Sequence, residues 1–368
     1  MGEKIKRDVN MQNHNLGSWQ SSLQTLVYIL LFLILFGWLL KVGQGFLLPI
    51  LVATIAMYIL ITLSHWLVKF PVLKSTPEWF RRILVLISFI VVMVQLISLV
   101  ITTGQKILAK MPIYEANIEQ VFLHVNAYLG WSNSPDWQIF REMLMSQINL
   151  QSLITSTLTS FSALTGMFVV IIVYALFLLN ERDQFVKKLM IAFPDGKTEQ
   201  TRLLIADINK KISEYLVVKT LINLILATIC FVILWACGVE YALFWALIIG
   251  LFNYIPYVGS LFGVIFPVLM TLAQTGSLKL TILVAILLTV AQMFVGNFLE
   301  PRMIGKQINL SPFVVLLSLS LWSSLWGIAG AILAIPLTSI FVIVLEAFRS
   351  TRPFAILLMQ NPKNYDQS

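Results

Sequence analysis

Charged residues are so sparse in this chain that the gaps between them act as a ruler. Eight stretches of 20 to 39 residues contain no Asp, Glu, Lys or Arg: 9–40, 42–68, 83–105, 143–180, 220–239, 241–278, 280–299 and 307–345. A helix needs about 20 apolar residues to cross roughly 30 Å of hydrocarbon. Of the 368 residues, 58% are apolar and 11% charged, against about 25% charged in an ordinary soluble domain. That balance excludes a cytosolic enzyme, a disordered chain and a compact nucleic-acid binder. It predicts an all-α polytopic membrane protein with about 7–8 membrane helices, surrounded by lipid and without a nucleic-acid partner.

The first gaps place spans near 25–40, 46–68 and 83–103, and the fourth places one near 161–180. The first apolar run has no small-x-small cleavage site after it, so it reads as a retained span. The gaps 241–278 and 307–345 are different. A straight helix of 38 residues would be about 57 Å long, yet two crossings plus a turn need more residues than are present. Each carries breakers at its middle: Asn253, Pro256 and Gly259 in one, Gly327, Gly330 and Pro336 in the other. Each is predicted to be a broken or re-entrant hairpin. Non-helical backbone survives at membrane depth only when buried in protein or lining a wet cavity, so a pathway is expected there.

Two amphipathic regions lie between the spans. Residues 104–160 carry Ile107, Met111, Tyr114, Ile118, Val121, Val125 and Leu129 at spacings of three and four. Residues 197–215 carry Leu204, Ile208, Ile212 and Tyr215 opposite Lys210, Lys211 and Glu214. Such stripes lie on headgroups or neighbouring helices, or serve oligomer contacts. The resulting order is a tail at 1–24, three spans in 25–103, the region 104–160, a core at 161–348 and a tail at 349–368. Lys and Arg cluster in the N-terminal tail, at 69–82, at 187–211 and after Arg349, which predicts cytoplasmic termini. Cys230 and Cys237 lie too far apart along one helix for an unstrained disulfide and read as apolar packers.

Spans 220–239 and 280–299 share a constant offset of 60, each flanked by Lys before and Glu after, and each precedes a long broken segment. Opposed in direction, they suggest an inverted repeat of the kind secondary transporters use. Gly250-x4-Ile255-Pro256 and Gly330-x4-Ile335-Pro336 also match, at an offset of 80.

Polar residues inside apolar spans mark ion or substrate routes. The candidates are Asn253, Pro256, Tyr257 and Gly259 at the first break, Gln292, Asn297, Glu300 and Arg302 at the end of the second span, and Gly327, Gly330 and Pro336 in the last segment. Gly259 and Gly263 also fit plain close packing. Glu300 is read either as an interfacial partner of Arg302 or as a proton or cation site. Lys219 and Glu240 read as snorkelling anchors. The isolated His14, His65 and His124 and the absence of His-Glu-x-x-His, Cys-x-x-Cys, Gly-x4-Gly-Lys-Ser/Thr and Gly-x-Ser-x-Gly point away from an enzyme, an ATP-driven pump, a metal and a cofactor.

The C-terminal half resembles the bacterial autoinducer-2 exporter (AI-2E) family of permeases. The resemblance lies in Asn253-Tyr-Ile-Pro-Tyr-Val-Gly-Ser260, Glu300-Pro-Arg-Met-Ile-Gly-Lys306, Leu310-Ser-Pro-Phe-Val-Val-Leu-Leu317, Leu325-Trp-Gly-Ile-Ala-Gly330 and Ala334-Ile-Pro-Leu337. Pro256, Gly259, Glu300, Pro301, Gly305, Pro312, Gly327 and Pro336 fall on matching family positions, none with an established catalytic role. Two departures are Ser260, where proline is common, and Ser323-Ser324, where the family usually carries a glycine-containing pair. The resemblance implies an oligomeric bacterial inner-membrane transporter of a small molecule or ion. Members export autoinducer-2, while others are described as sodium or lithium/proton antiporters. Three readings follow: an exporter working by alternating access, a Na+(Li+)/H+ antiporter, and a non-transporting membrane scaffold.

Overall fold

The computed structural model describes residues 24–68, 74, 76–129, 137–139, 141–142, 166–181, 184, 188, 191, 198–304 and 309–361. Among these, every regular element is helical, and the one β contact is an isolated bridge between Leu310 and Met359. The helices are α1 (Gln24–Val42), α2 (Gln44–Leu67), α3 (Glu78–Ala109), α4 (Met111–Leu129), α5 (Gly166–Glu181), α6 (Thr198–Ala236), α7 (Ala242–Phe252), α8 (Val258–Thr275), α9 (Leu278–Phe294), α10 (Glu300–Ile304), α11 (Pro312–Ala347) and α12 (Arg352–Leu358). A π-turn, Val295–Leu299, joins α9 to α10. Seven described helices are long and apolar enough to cross a membrane. α1 turns nearly all of its Leu, Ile, Val and Phe outward, and α3 fully buries only Val85 and Thr103, leaving a surface that only lipid or further protein can cover. The fold is that of an all-α polytopic membrane protein.

α6 is the pillar. The sequence separates an amphipathic helix at 197–215 from a span at 220–239, but Leu216-Val-Val-Lys219 contains no Gly or Pro, and one helix of 39 residues runs through both. Its first half buries Ile212, Tyr215 and Leu216 against Ile335, Val315 and Ile340 of α11 and Ile55 and Tyr58 of α2. Its second half buries Ile222, Leu226, Cys230 and Leu234 against Ile249 of α7 and Val284, Leu288 and Ala291 of α9.

Both overlong segments are hairpins. In the first, α7 and α8 fold back around 253–257. Asn117 of α4 donates to the carbonyls of Ala273 and Gln274 at the end of α8, and the Gln274 side chain bonds to Gly238 and Glu240. The base of this hairpin is therefore at the C-terminal end of α6. α11 reverses at Trp326 and Gly327, where φ/ψ leave the helical region. In a straight helix Val314 and Val342 would be about 42 Å apart, yet they share one cluster. Trp322 Nε1 likewise reaches Thr338 Oγ1 at 3.1 Å. The base of this second hairpin packs on the N-terminal half of α6. So the two hairpins enter from opposite ends of α6. They meet where Ile255, at the first tip, packs on Leu319, Ala331 and Ala334 of the second.

The match at an offset of 80 joins places that are not equivalent. Pro256 is at a tip, whereas Pro336 lies buried in the second arm. Equivalent positions are about 70 apart. A Cβ on Gly259 would lie 1.8 Å from the Phe252 carbonyl oxygen, and one on Gly330 would lie 1.9 Å from that of Trp322. Each glycine is where one arm crosses the backbone of the other.

α4 continues from α3 through Lys110 and packs on the base of the first hairpin, with Tyr114 and Val121 buried. Lys110 Nζ lies 2.6 Å and Tyr114 OH 2.9 Å from the Glu240 carboxylate. Burial alone would raise Glu240, but these hydrogen bonds outweigh it and hold the carboxyl below its ordinary value. Tyr114 and Val121 of the stripe thus pack on neighbouring elements. The rest of 104–160 lies almost wholly outside the described residues, as do 161–165, Gly305 and the tail segments 1–23 and 362–368. Within the expected C-terminal tail, α12 buries Ala355 against Leu310, Val314 and Val342.

Gly259→Ala and Gly330→Ala should each destabilise the protein by about 2 kcal/mol or more, because a backbone carbonyl has to move. Gly296→Ala, which meets nothing within 4 Å, should be neutral. Thermal unfolding in detergent measures this, and equal midpoints for all three would contradict the hairpin crossings.

Candidate functional site

On the middle of α6, Lys219 and Asn223 are one turn apart and share a face, with Thr220 beside them. Lys219 Nζ is 2.5 Å from Glu300 Oε1, with side-chain exposures of 4% and 28%. Thr220 Oγ1 lies 2.7 Å from the Tyr254 hydroxyl, and Asn253 Nδ2 donates to Asn223 Oδ1 at 2.8 Å. One and a half turns of α6 thus hold an ion pair and two hydrogen bonds, the latter to the tip of the first hairpin.

The π-turn explains how Glu300 reaches α6. The inward face of α9 runs Thr281, Val284, Leu288, Ala291 and Val295. In an unbroken α-helix the residue five beyond Val295 would point well away from that face. Here the Glu300 amide donates to the Val295 carbonyl, five residues back. The widened turn therefore stacks Glu300 over Val295, which is 1% exposed. Pro301 has no N–H, and its ring would clash with the Asn297 carbonyl in a regular helix, so the sequence favours a deviation at this place.

The tip itself is unwound. Val258 N–H donates to the Pro256 carbonyl at 2.6 Å across Tyr257, whose φ of 60° and ψ of −54° make a γ-turn that non-glycine residues rarely adopt. Tyr257 is exposed and Pro256 half-buried. Gly259 is the crossing glycine described above, which is the packing role. Gly263 also packs closely, its Cβ position lying 3.1 Å from Gln292 Nε2. Gln292 is buried in the interior of α9.

Not all the expected residues converge. Asn297 is exposed on the π-turn. Arg302 is exposed and forms no ion pair among the described residues, so Glu300 pairs with Lys219 across the bundle. Gly327 and Gly330 belong to the second tip, which α1 holds: Trp326 Nε1 donates to the Leu40 carbonyl at 3.0 Å and Lys41 Nζ to that of Ser324 at 2.9 Å. Pro336 is buried in the second arm of α11, next to Ile335, which packs on α6. Sequence reasoning missed Lys219, Thr220, Asn223 and Tyr254 as site residues. The offset of 60 held a clue to Lys219, since antiparallel spans bring the Lys opening one level with the Glu closing the other.

A buried ion pair that loses one member leaves an uncompensated charge. Glu300→Gln should therefore lower stability by on the order of 2–4 kcal/mol, and Lys219→Met/Glu300→Gln should recover most of it. Chemical or thermal unfolding in detergent reads both; a double variant as unstable as Glu300→Gln would show that the two residues do not act as a pair.

The sequence matches the family described as AI-2E family transporter over residues 26–350. It is 28% identical over 319 residues to a Haemophilus influenzae protein named "Putative transport protein", covering 84% of this chain and 91% of that one. It is 34% identical over 210 residues to the AI-2 transport protein TqsA of Escherichia coli K12, covering 56% of this chain and 59% of TqsA. With the family matched over most of its length, the chain belongs to the AI-2E transporter family.

Proposed function

We propose that the protein is an exporter of a small organic solute such as autoinducer-2, working by alternating access in the bacterial inner membrane. The observation that carries this reading is the meeting of the two hairpins at Ile255 beside the polar cluster on α6. Two broken helices that enter from opposite ends and abut at mid-length offer two gates on one route. TqsA, whose name records transport of AI-2, supports the choice of solute.

In this reading the basic segments and both termini face the cytoplasm, as the distribution of Lys and Arg favours. The polar tip 253–257 and the corner 326–327 then open alternately to the two sides. Residues 25–103 form an N-terminal group of spans, of which α1 clasps the second tip and α2 braces α6. The apolar outer faces of α1 and α3 turn to lipid or to further copies in a homo-oligomer.

Inside-out vesicles containing the protein should accumulate autoinducer-2 several-fold over vesicles without it. Single cysteines placed along 253–260 and 323–331 should label with impermeant reagents from opposite sides. Uniform protection of both sets, or a pH gradient collapsed by Na+ or Li+ with no solute movement, would contradict the proposal.

A further inference from the structure

Lys41 is the one charged residue between Asp8 and Lys69, and its ammonium sits at the corner of the second hairpin. Nζ donates to the Ser324 carbonyl at 2.9 Å. Among the described residues it has no carboxylate partner and no other hydrogen bond, so two of its three N–H groups are spare. A charge at membrane depth is expensive and marks a route or a pairing. A snorkelling lysine would carry its head out to the interface, whereas this head is turned onto the corner. Capping a carbonyl needs one N–H and no charge.

The depth of the corner follows from its neighbours. Ile255 of the first tip packs on Leu319 and Ala331, seven residues before Trp326 and four after Gly327. The corner is therefore about 6–10 Å beyond the meeting point of the hairpins, inside a hydrocarbon layer that reaches about 15 Å to either side of its midplane. It is not closed over there. Ser324, Gly327 and Ile328 are exposed, and a Cβ on Gly327 would meet nothing within 4 Å. Unwound backbone cannot face lipid at this depth, so the open side faces water or solute.

The polar groups at the corner divide by chemistry. Both indole N–H groups are spent, Trp322 on Thr338 and Trp326 on the Leu40 carbonyl. The Ser324 hydroxyl donates to the Leu321 carbonyl at 2.8 Å and that of Ser323 to the Ser320 carbonyl at 3.2 Å, which leaves each oxygen as an acceptor. The corner thus presents a cation with spare donors beside hydroxyl acceptors. That is the complement of an anionic group with a hydroxyl next to it.

We infer that Lys41 and Ser324, at the corner of the second hairpin, bind the anionic group and a neighbouring hydroxyl of a small hydroxylated solute. This rests on the reading of the chain as a solute carrier and names a subsite and the chemistry it selects. Ser323-Ser324 is also where the chain departs from the family pattern, so the selectivity belongs to this chain.

Gluconate, glucose and glucosamine are probes of similar size that differ in charge, and their affinities for the purified full-length protein in detergent test the inference. Gluconate should bind at least tenfold more tightly than either of the others. Lys41→Gln, which keeps an N–H for a carbonyl and has no charge, should lose that preference, as should Lys41→Met, while Lys41→Arg should keep it. Ser324→Gly should weaken gluconate binding several-fold. Equal binding of the three probes by the unmodified protein overturns the inference without recourse to any variant. Gluconate binding by Lys41→Gln within twofold of the unmodified protein overturns it too. If autoinducer-2 moves in vesicles while the three probes bind alike, this inference fails and the carrier reading stands. If no solute moves while gluconate still binds through Lys41, the carrier reading fails and the anion subsite stands.

Discussion

Inside hydrocarbon, backbone N–H and C=O groups have no water to turn to, so a helix can be broken there only where other protein groups cover the break or a wet cavity reaches it. The rest of this structure follows from how two such breaks are covered. At the first tip, α6 supplies Thr220 and Asn223, and the arms of the second hairpin close over Ile255. At the second corner, Trp326 and Lys41 tie the chain to the end of α1. Glycines at 259 and 330 then let the arms cross closer than any side chain would permit. Each hairpin depends on α6, and the first depends on the second. The proposed alternating-access cycle would use that dependence, because movement of one break alters the cover of the other.

The ion pair at the middle of α6 has the same logic. Lys219 is nearly inaccessible, and its carboxylate partner reaches it only because the helix widens for one turn before Pro301. Replacing such a pair by apolar residues is often neutral or stabilising, so its retention in a membrane core argues for a purpose beyond holding helices together. Its position, one residue from the bond between Thr220 and Tyr254, links it to the hairpin tip.

Much of the architecture was legible in the sequence because charge is expensive in a bilayer and so marks the ends of spans. The hairpins were legible because 38 residues fit neither one crossing nor two. Three features were not legible, each for a local reason. The continuity of α6 was hidden because Lys219 looks like the edge of a span, when in fact its partner lies on another helix. The equivalence of the hairpins was hidden because Gly330 aligns by motif with Gly250 and by structure with Gly259. Asn223 was hidden because its hydrogen bond depends on the tip that α7 leads into and that places Asn253 beside it.

The central claim is that the first tip and the second hairpin must move against each other for solute to pass. Cysteines at Ile255 and Ala331, which share one cluster, can be joined by a short thiol-specific linker in protein lacking Cys230 and Cys237. Cleavage of a reducible linker then serves as the control. The account predicts that joining them stops autoinducer-2 flux and that cleavage restores it. Flux through the joined protein at the rate of the unjoined one would contradict it.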